Sequence, residues 1–440
     1  MSPTPLPRED LLARLGAGSE WDLAVIGGGA TGLGIALDAA LRGFAVLLVE
    51  ALDFASGTSS RATKLAHGGV RYLAQGDIGL VREALRERGA MLNNAPHLAQ
   101  RLGFVMPGYH WWERGFYGVG LKMYDALAGS QGLGGTQWLG TARTLALLPG
   151  ARPGGLWGGV RYWDGQFDDA RFAVALARTA AAQGALLLNH AEATGLVLER
   201  GQVRGLTVRD TETGLAVTVA ARCVINATGV WVDAVRAMDR EPGAPERPPL
   251  VAPSQGVHLV VDRAFMPGDH ALLIPKTADG RVLFAVPWLG KTILGTTDTP
   301  RGDLAREPVP FAEEVEFILR EAGRVLRRAP RREDVRSVWV GLRPLVKASG
   351  AELGNTKALS REHTVLVGAS GLVTVTGGKW TTYRAMAEDV LERAMSRGLL
   401  PRRPGGVTTR LPLVGAAPGR PLAEPPGEHL YGSEAAALRA

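Results

Sequence analysis

Residues 22–50, DLAVIGGGATGLGIALDAALRGFAVLLVE, decide how the rest of the chain is read. Asp22 to Ile26 is a short apolar run of the kind that forms a parallel strand buried on both faces. Gly27, Gly29 and Gly32 follow in G-x-G-x-x-G spacing, at the point where a helix begins. Each glycine has its own task. Gly27 permits a tight turn, Gly29 lets a pyrophosphate approach the backbone, and Gly32 lets the helix pack on the strand. The helix N-terminus turns unpaired N–H groups and a partial positive charge toward the phosphates. Ala45 to Val49 supplies a second strand, and Glu50 ends it where a ribose hydroxyl needs a carboxylate acceptor. A glycine triplet alone marks only a tight turn. Strand, helix, second strand and acid together predict a dinucleotide site.

The 440 residues leave room for two or three domains. The formal charge of +7 suits an anionic substrate, an anionic membrane surface or a nucleic acid; an undirected basic surface gives the same number. Cys223 is the single cysteine, which excludes an intrachain disulfide and a redox-active pair; in its apolar strand it reads as a buried, inert thiol. Residues 1–20 mix both signs of charge and lack an apolar leader core. The longest uncharged apolar run, Leu23 to Leu37, is too short to span a bilayer. The expectation is a cytoplasmic protein, with any membrane contact made from the inner face. No group of His, Cys and acids has metal-ligand spacing, so no metal is expected.

After Glu50, residues 51–73 are small and polar, then carry His67-Gly68-Gly69 and Arg71-Tyr72. Such a loop, with Thr58, Ser59, Ser60 and Lys64, can lie flat against a cofactor; an ordinary surface loop is the alternative. Ile78, Val81, Leu85 and Leu92 recur at helical spacing. Residues 103–124 gather Phe104, Tyr109, Trp111, Trp112, Phe116, Tyr117 and Tyr124 around Arg114 and Lys122. That mixture suits a membrane interface, plain core or a subunit contact such as a homodimer, and the three stay open. Asp168 and Asp169 can cap a helix over 170–182. Short strands follow near 185–189, 195–199, 203–209, 215–220 and 222–226, the last closing on Ala227-Thr228-Gly229. A Pro-rich crossing at 241–253 leads to antiparallel strands over 256–298, read as the floor of a substrate site. An amphipathic helix over 311–327 precedes the segment 335–345, VRSVWVGLRPL, which reads as a strand with Arg343 just beyond its end. Residues 372–395 repeat strand, glycine turn and helix, with Gly378, Lys379 and Thr381 at the turn. From 400 the chain is rich in Pro and Gly and ends in what reads as an Ala-rich helix.

GGGATGLGIALDAALRG, TSSRATKLAHGGVRYL, INATGVW, GTTD, GLRPL and GGKWTTYR, in that order, resemble FAD-dependent glycerol-3-phosphate dehydrogenases, the respiratory flavoenzymes. The resemblance runs from about residue 20 to 400. It implies an α/β fold: an FAD-binding Rossmann-like domain of the D-amino-acid-oxidase type with an antiparallel-sheet substrate domain. On that pattern 20–75, 155–240 and 335–398 form the FAD domain, 76–154 and 241–334 the substrate domain, and 399–440 the remnant of a C-terminal helical domain. It also implies oxidation of sn-glycerol 3-phosphate at C2, with electrons passed to membrane quinone by a protein held peripherally at the inner face of the cell membrane.

Oxidising a secondary alcohol by hydride removal requires a flavin over the carbon, a proton acceptor for the hydroxyl and a clamp for the phosphate. Arg71, Arg343 and Lys379 can supply the cationic clamp and Tyr72 a hydroxyl. The resemblance matches these positions to the family's substrate residues, and adds Arg361. His258 matches a family histidine and is the candidate base, with a hydrogen-bonding role as the alternative. His67 reads as packing against the flavin. A flavin-dependent amine or amino-acid oxidase, an RNA-modifying flavoprotein and a non-catalytic FAD-binding membrane protein are the competing functions. The clamp motifs oppose the first. The absence of any run of five or more Lys or Arg opposes nucleic acid as a partner.

Overall fold

A computed structural model describes residues 6–16, 18, 20–69, 77–240, 247–347 and 362–439. After a short helix, α1 (Arg8–Gly16), come β1 (Trp21–Ile26), α2 (Ala30–Leu41) and β2 (Val46–Val49). β1 pairs in parallel with β2, Leu23 opposite Val46 and Ile26 opposite Val49. The first sheet runs β17-β18-β10-β1-β2-β7, where β7 is Leu186–Leu188, β10 Ala216–Asn226, β17 His363–Val367 and β18 Val373–Gly377. β8 (Ala191–Glu199) and β9 (Gln202–Asp210) extend it from β10. The two strands expected over 215–226 are one: its first half pairs antiparallel with β9, its second half parallel with β1. Cys223 stands opposite Leu23 in that parallel half, and burial pushes its thiol up to about 12.

The second sheet runs β15-β11-β14-β13-β12-β4-β6-β3. In chain order these are β3 (Leu65–Ala66), β4 (Ala99–Gly108), β6 (Gly158–Phe167), β11 (Val251–Asp262), β12 (His270–Ile274), β13 (Leu283–Trp288), β14 (Lys291–Gly295) and β15 (Thr299–Pro300). β5 (Gln137–Leu139) pairs with β6, and β16 (Val335–Val346) pairs with β11. The segment at 335–346, grouped with the FAD domain from the sequence, thus belongs to the second sheet. The reason is its register: Val257 faces Val340 along a long antiparallel pairing.

The helices close both sheets. α2, α6 (Asp169–Ala182) and α9 (Tyr383–Ser396) share one apolar core over the first sheet, with Leu33, Phe172 and Val390 fully buried. α2 is apolar nearly all round, as a helix buried on all sides must be. α8 (Ala312–Val325) covers one face of the second sheet through Val315 and Ile318. α3 (Ile78–Asn94) and α4 (Glu113–Ala128) flank its edge, with α5 (Thr141–Leu147) and α7 (Val232–Met238) as short links. Among the described residues no helix is long and apolar enough to cross a membrane, and no group of acids, His and Cys could hold a metal.

Residues 399–439 differ from expectation. Instead of α-helix they form irregular chain with several turns, then a 3-10 stretch (Glu428–Leu438) interrupted at Gly432. Seven prolines between 401 and 426 withdraw the N–H groups that helical ladders need. The segment lies across the body instead: Leu413 N–H donates to Asn94, Leu289 N–H to Leu422, and Val414 N–H to Thr179 Oγ1 at 2.9 Å.

Candidate active site

The turn between β1 and α2 builds the phosphate end. Gly27 takes φ +110°, and a Cβ on Gly32 would stand 1.9 Å from the Gly27 carbonyl oxygen, so only glycine lets the helix start this close to the strand. A Cβ on Gly29 would meet one neighbour only, Ser59 Oγ at 3.1 Å. Ser59 Oγ accepts from Ala30 N–H at 2.9 Å, in the first turn of α2. The Glu50 carboxylate accepts from Gly28 N–H at 2.7 Å and Leu52 N–H at 2.9 Å, which fixes it beside the turn. Ala227 carries its carbonyl against Gly27, the Thr228 hydroxyl donates to Asn226 at 2.8 Å, and Gly229 O accepts from Thr376 at 3.2 Å. An open glycine face, a helix N-terminus and a fixed carboxylate fit the pyrophosphate and ribose of a dinucleotide.

The loop after Glu50 is bound into the protein more than its composition indicated. Thr58, Ser59 and Ser60 form one 3-10 turn, and the Thr58 hydroxyl donates to the Leu342 carbonyl. Lys64 is buried: its ammonium pairs with Asp169 and donates to Ser60 O at 2.8 Å. Asp168 caps α6, accepting from Arg171 N–H at 3.1 Å, whereas Asp169 turns inward, where burial raises its pKa to about 6 against the pull of Lys64. His67 is half-buried. Gly68 N–H donates to the Tyr124 hydroxyl at 2.8 Å; that hydroxyl donates to Asp164 at 2.9 Å, and Asp164 pairs with the buried Arg88 at 2.9 Å. Gly69 follows with φ +76°.

The second sheet supplies the substrate end. His258, on β11, is buried and stacks on Trp339 of β16, with ring centroids 5.3 Å apart. Its Nε2 shares a 2.8 Å hydrogen bond with Thr63 Oγ1, while its Nδ1 is buried and makes none. Burial first, then Arg343 and Lys64, hold its pKa well below the usual histidine value, so the ring is neutral. Arg343 lies within β16, opposite Ser254, rather than beyond a strand. Its guanidinium donates to Thr297 O at 3.0 Å, Thr296 Oγ1 at 3.1 Å and Gln255 O at 3.4 Å, with Asp298 at 3.6 Å. Lys379 is half-buried at the start of the Trp380–Thr382 turn, after Gly377 and Gly378, both at positive φ. The Trp380 indole donates to Ser59 O at 2.8 Å, Thr381 is buried, and Gly377 packs on Val346 at the end of the Arg343 strand. Arg71, Tyr72 and Arg361 lie outside the described residues.

The structure therefore brings His258, Arg343 and Lys64 within electrostatic reach, and ties the Lys379 turn to the Thr58–Ser60 loop. Sequence reasoning missed Thr63, Trp339 and the inward role of Asp169. Thr63 and His258 are 195 positions apart, and no local pattern marks either as the other's partner.

The parallel sheet with its glycine turn, joined to a second sheet that carries a buried imidazole beside a guanidinium, defines a flavin-nucleotide oxidoreductase. The chain belongs to the FAD dependent oxidoreductase family, whose model matches residues 22–384, and FAD is its cofactor. The mitochondrial glycerol-3-phosphate dehydrogenase of Rattus norvegicus is 45% identical over 406 residues, 89% of this chain and 55% of that protein. That of Arabidopsis thaliana is 43% identical over 427 residues, 94% of this chain and 67% of that protein. The chain spans about half the length of most of the curated relatives it matches. Among solved structures, the glycerol-3-phosphate dehydrogenase from Bacillus halodurans complexed with FAD is 33% identical, with a TM-score of 0.73, covering 93% of this chain and 70% of that one. Glycine oxidase from Geobacillus kaustophilus, 22% identical with a TM-score of 0.62 over 89% of this chain and 98% of that one, shares the fold.

Proposed function

We propose that this protein oxidises sn-glycerol 3-phosphate at C2 to dihydroxyacetone phosphate and that the electrons leave to a membrane quinone. The observation that carries the reading is the pairing of His258 and Arg343 on one face of β11. The guanidinium lies over Gly256, and His258 follows two residues along, on the same side of the strand. A neutral imidazole beside a cation is what a phosphorylated alcohol requires. His258, neutral and hydrogen-bonded through Nε2 to Thr63 Oγ1, is the candidate acceptor for the C2 hydroxyl proton. Arg343 and Lys379 hold the phosphate, and by the resemblance Arg71, Tyr72 and Arg361 join them. FAD, when bound, supplies the two-electron acceptor. The identity to glycerol-3-phosphate dehydrogenases across most of the chain supports the same substrate.

Membrane attachment is the second half of the proposal. Trp112, at the N-cap of α4, and Phe116, Val119 and Met123 along it recur at helical spacing and are exposed, next to Trp111 at 75% exposure. An apolar stripe facing water, flanked by Arg114 and Lys122, suits insertion at the level of lipid headgroups. Anaerobic addition of sn-glycerol 3-phosphate to the purified holoprotein tests the chemistry: the visible flavin absorption should bleach. A flavin that stays oxidised with this substrate and is reduced by an amine or amino acid would overturn the substrate reading.

A further inference from the structure

The two residues whose backbone carbonyls hold the Arg343 guanidinium, Gln255 and Thr297, are also two of the three whose side chains converge on one buried carboxylate. That carboxylate is Glu314, in the first turn of α8, 5% exposed. Thr297 Oγ1 donates to Glu314 Oε1 at 2.7 Å, Thr299 Oγ1 donates to the same oxygen at 2.7 Å, and the Gln255 amide donates to Oε2. Thr297 Oγ1 in turn accepts from Val257 N–H at 3.0 Å, which pins the 295–298 loop against β11. Gly256, between Gln255 and Val257, lies directly under the guanidinium: a Cβ there would stand 2.2 Å from Arg343 Nη2. The Gln255 side-chain oxygen accepts from Arg301, so the amide cannot turn away from Glu314 without losing that bond.

We infer that Glu314 is a positioning residue for the substrate's phosphate, acting through Gln255 and Thr297 to aim Arg343. Four donors meet its two oxygens: the Thr297 and Thr299 hydroxyls, the Gln255 amide and Phe311 N–H at 3.1 Å. An ionised carboxylate accepts from all four, whereas a glutamine turns an NH2 group toward donors and breaks the convergence. The guanidinium then loses the fixed spacing of its two carbonyl partners. The bond from Phe311 N–H also makes Glu314 a helix cap, and a cap alone affects stability without affecting substrate affinity.

The inference rests on the glycerol 3-phosphate reading, and the test separates the two. In the FAD-loaded protein, Glu314→Gln should raise KM for sn-glycerol 3-phosphate about tenfold, the scale of one weakened charged hydrogen bond, with kcat within about threefold. Thr297→Val, which keeps the carboxylate and removes one hydroxyl, should shift KM the same way even if Glu314→Gln folds poorly. In an Arg343→Ala background either substitution should add no more than about twofold. A change in melting temperature with unchanged KM, or effects that multiply fully with Arg343→Ala, would overturn the inference. Should the wild type prove inert toward glycerol 3-phosphate, the substrate reading falls, and a crystal structure of Glu314→Gln decides this point by itself. A guanidinium displaced from Thr297 O sustains the inference; one still seated there sinks it.

Discussion

Replacing Trp111, Trp112 and Phe116 together by serine should strip the protein from anionic vesicles while leaving its flavin site intact. The three rings are 75%, 45% and 68% exposed. At about 200 Å² per ring they offer roughly 375 Å² to a lipid surface, worth about 9 kcal/mol at ~25 cal/mol per Å² if fully removed from water. An interfacial helix immerses one face only, so about half of this is realised, and losing it lowers the partition coefficient by roughly a thousandfold. Arg114 and Lys122 remain in the variant and contribute about 1 kcal/mol each toward anionic lipid, a contribution that salt removes. The inward face of α4 is untouched: Gly118, Leu121, Tyr124 and Ala128 are buried, and Tyr124 keeps its bonds to Gly68 and Asp164.

The assay is co-sedimentation with vesicles of mixed neutral and anionic lipid, at low and high salt, alongside reduction of a soluble dye. Wild type should pellet with the vesicles, less in salt. The variant should stay in solution and reduce the dye at the wild-type rate. Equal pelleting of both proteins would refute membrane docking through this helix. A variant whose melting temperature falls by many degrees would show that the rings stabilise the fold.

Gly29→Val should fold yet purify without flavin, because its Cβ would meet only Ser59 Oγ in the protein while its methyls take the space of the cradle; full flavin occupancy by absorbance would remove the turn from the cofactor site. Arg343→Ala should retain FAD and lose roughly 10- to 150-fold in kcat/KM for sn-glycerol 3-phosphate, the equivalent of about 1.5–3 kcal/mol for a charged contact to phosphate; wild-type kinetics would place the clamp elsewhere. His97, packed against Gly415 and Gly432 of the C-terminal segment, has its pKa lowered by burial to about 4. A depressed histidine contributes stability that is present above its unfolded value near 6.5 and is lost as pH falls toward 4, by at most ~1.4 kcal/mol per pH unit. His97→Asn should flatten the fall in melting temperature over that window, and an unchanged slope would exclude His97 as its source.

The β1–α2–β2 unit was legible because everything it needs is consecutive: buried strand, glycines, helix and Glu50 lie within 29 residues. His258 was legible as a residue of an apolar strand, but not its surroundings, since Thr63 and Trp339 arrive from other segments. Arg343 reads from the sequence as lying just beyond a strand, and the structure extends that strand through Val346. In the structure Pro344 lies opposite Pro253, near the end of the β11–β16 pairing, where an absent N–H is tolerated. The Ala-rich end read as α-helix by propensity, and the prolines and Gly432 upstream decided otherwise.

Lys64 shows why site residues and their supports differ in legibility. It stands in a run that matches a cofactor loop, so pattern alone assigns it to the ligand. Its charge is nevertheless held by Asp169, 105 positions away, in the interior where an unpaired ammonium and an unpaired carboxylate would each be costly. Glu314 follows the same logic from the other direction. At the third position of a helix it reads as a cap, and only the folding of β11 and the 295–298 loop onto α8 brings it the three side-chain donors that tie it to Arg343. The glycine turn after β1 and the turn at Lys379 are set by local spacing, which the sequence displays. Groups that hold site residues in place are selected by burial: a polar atom shut away from water needs a partner, and that partner can come from any element the fold places beside it.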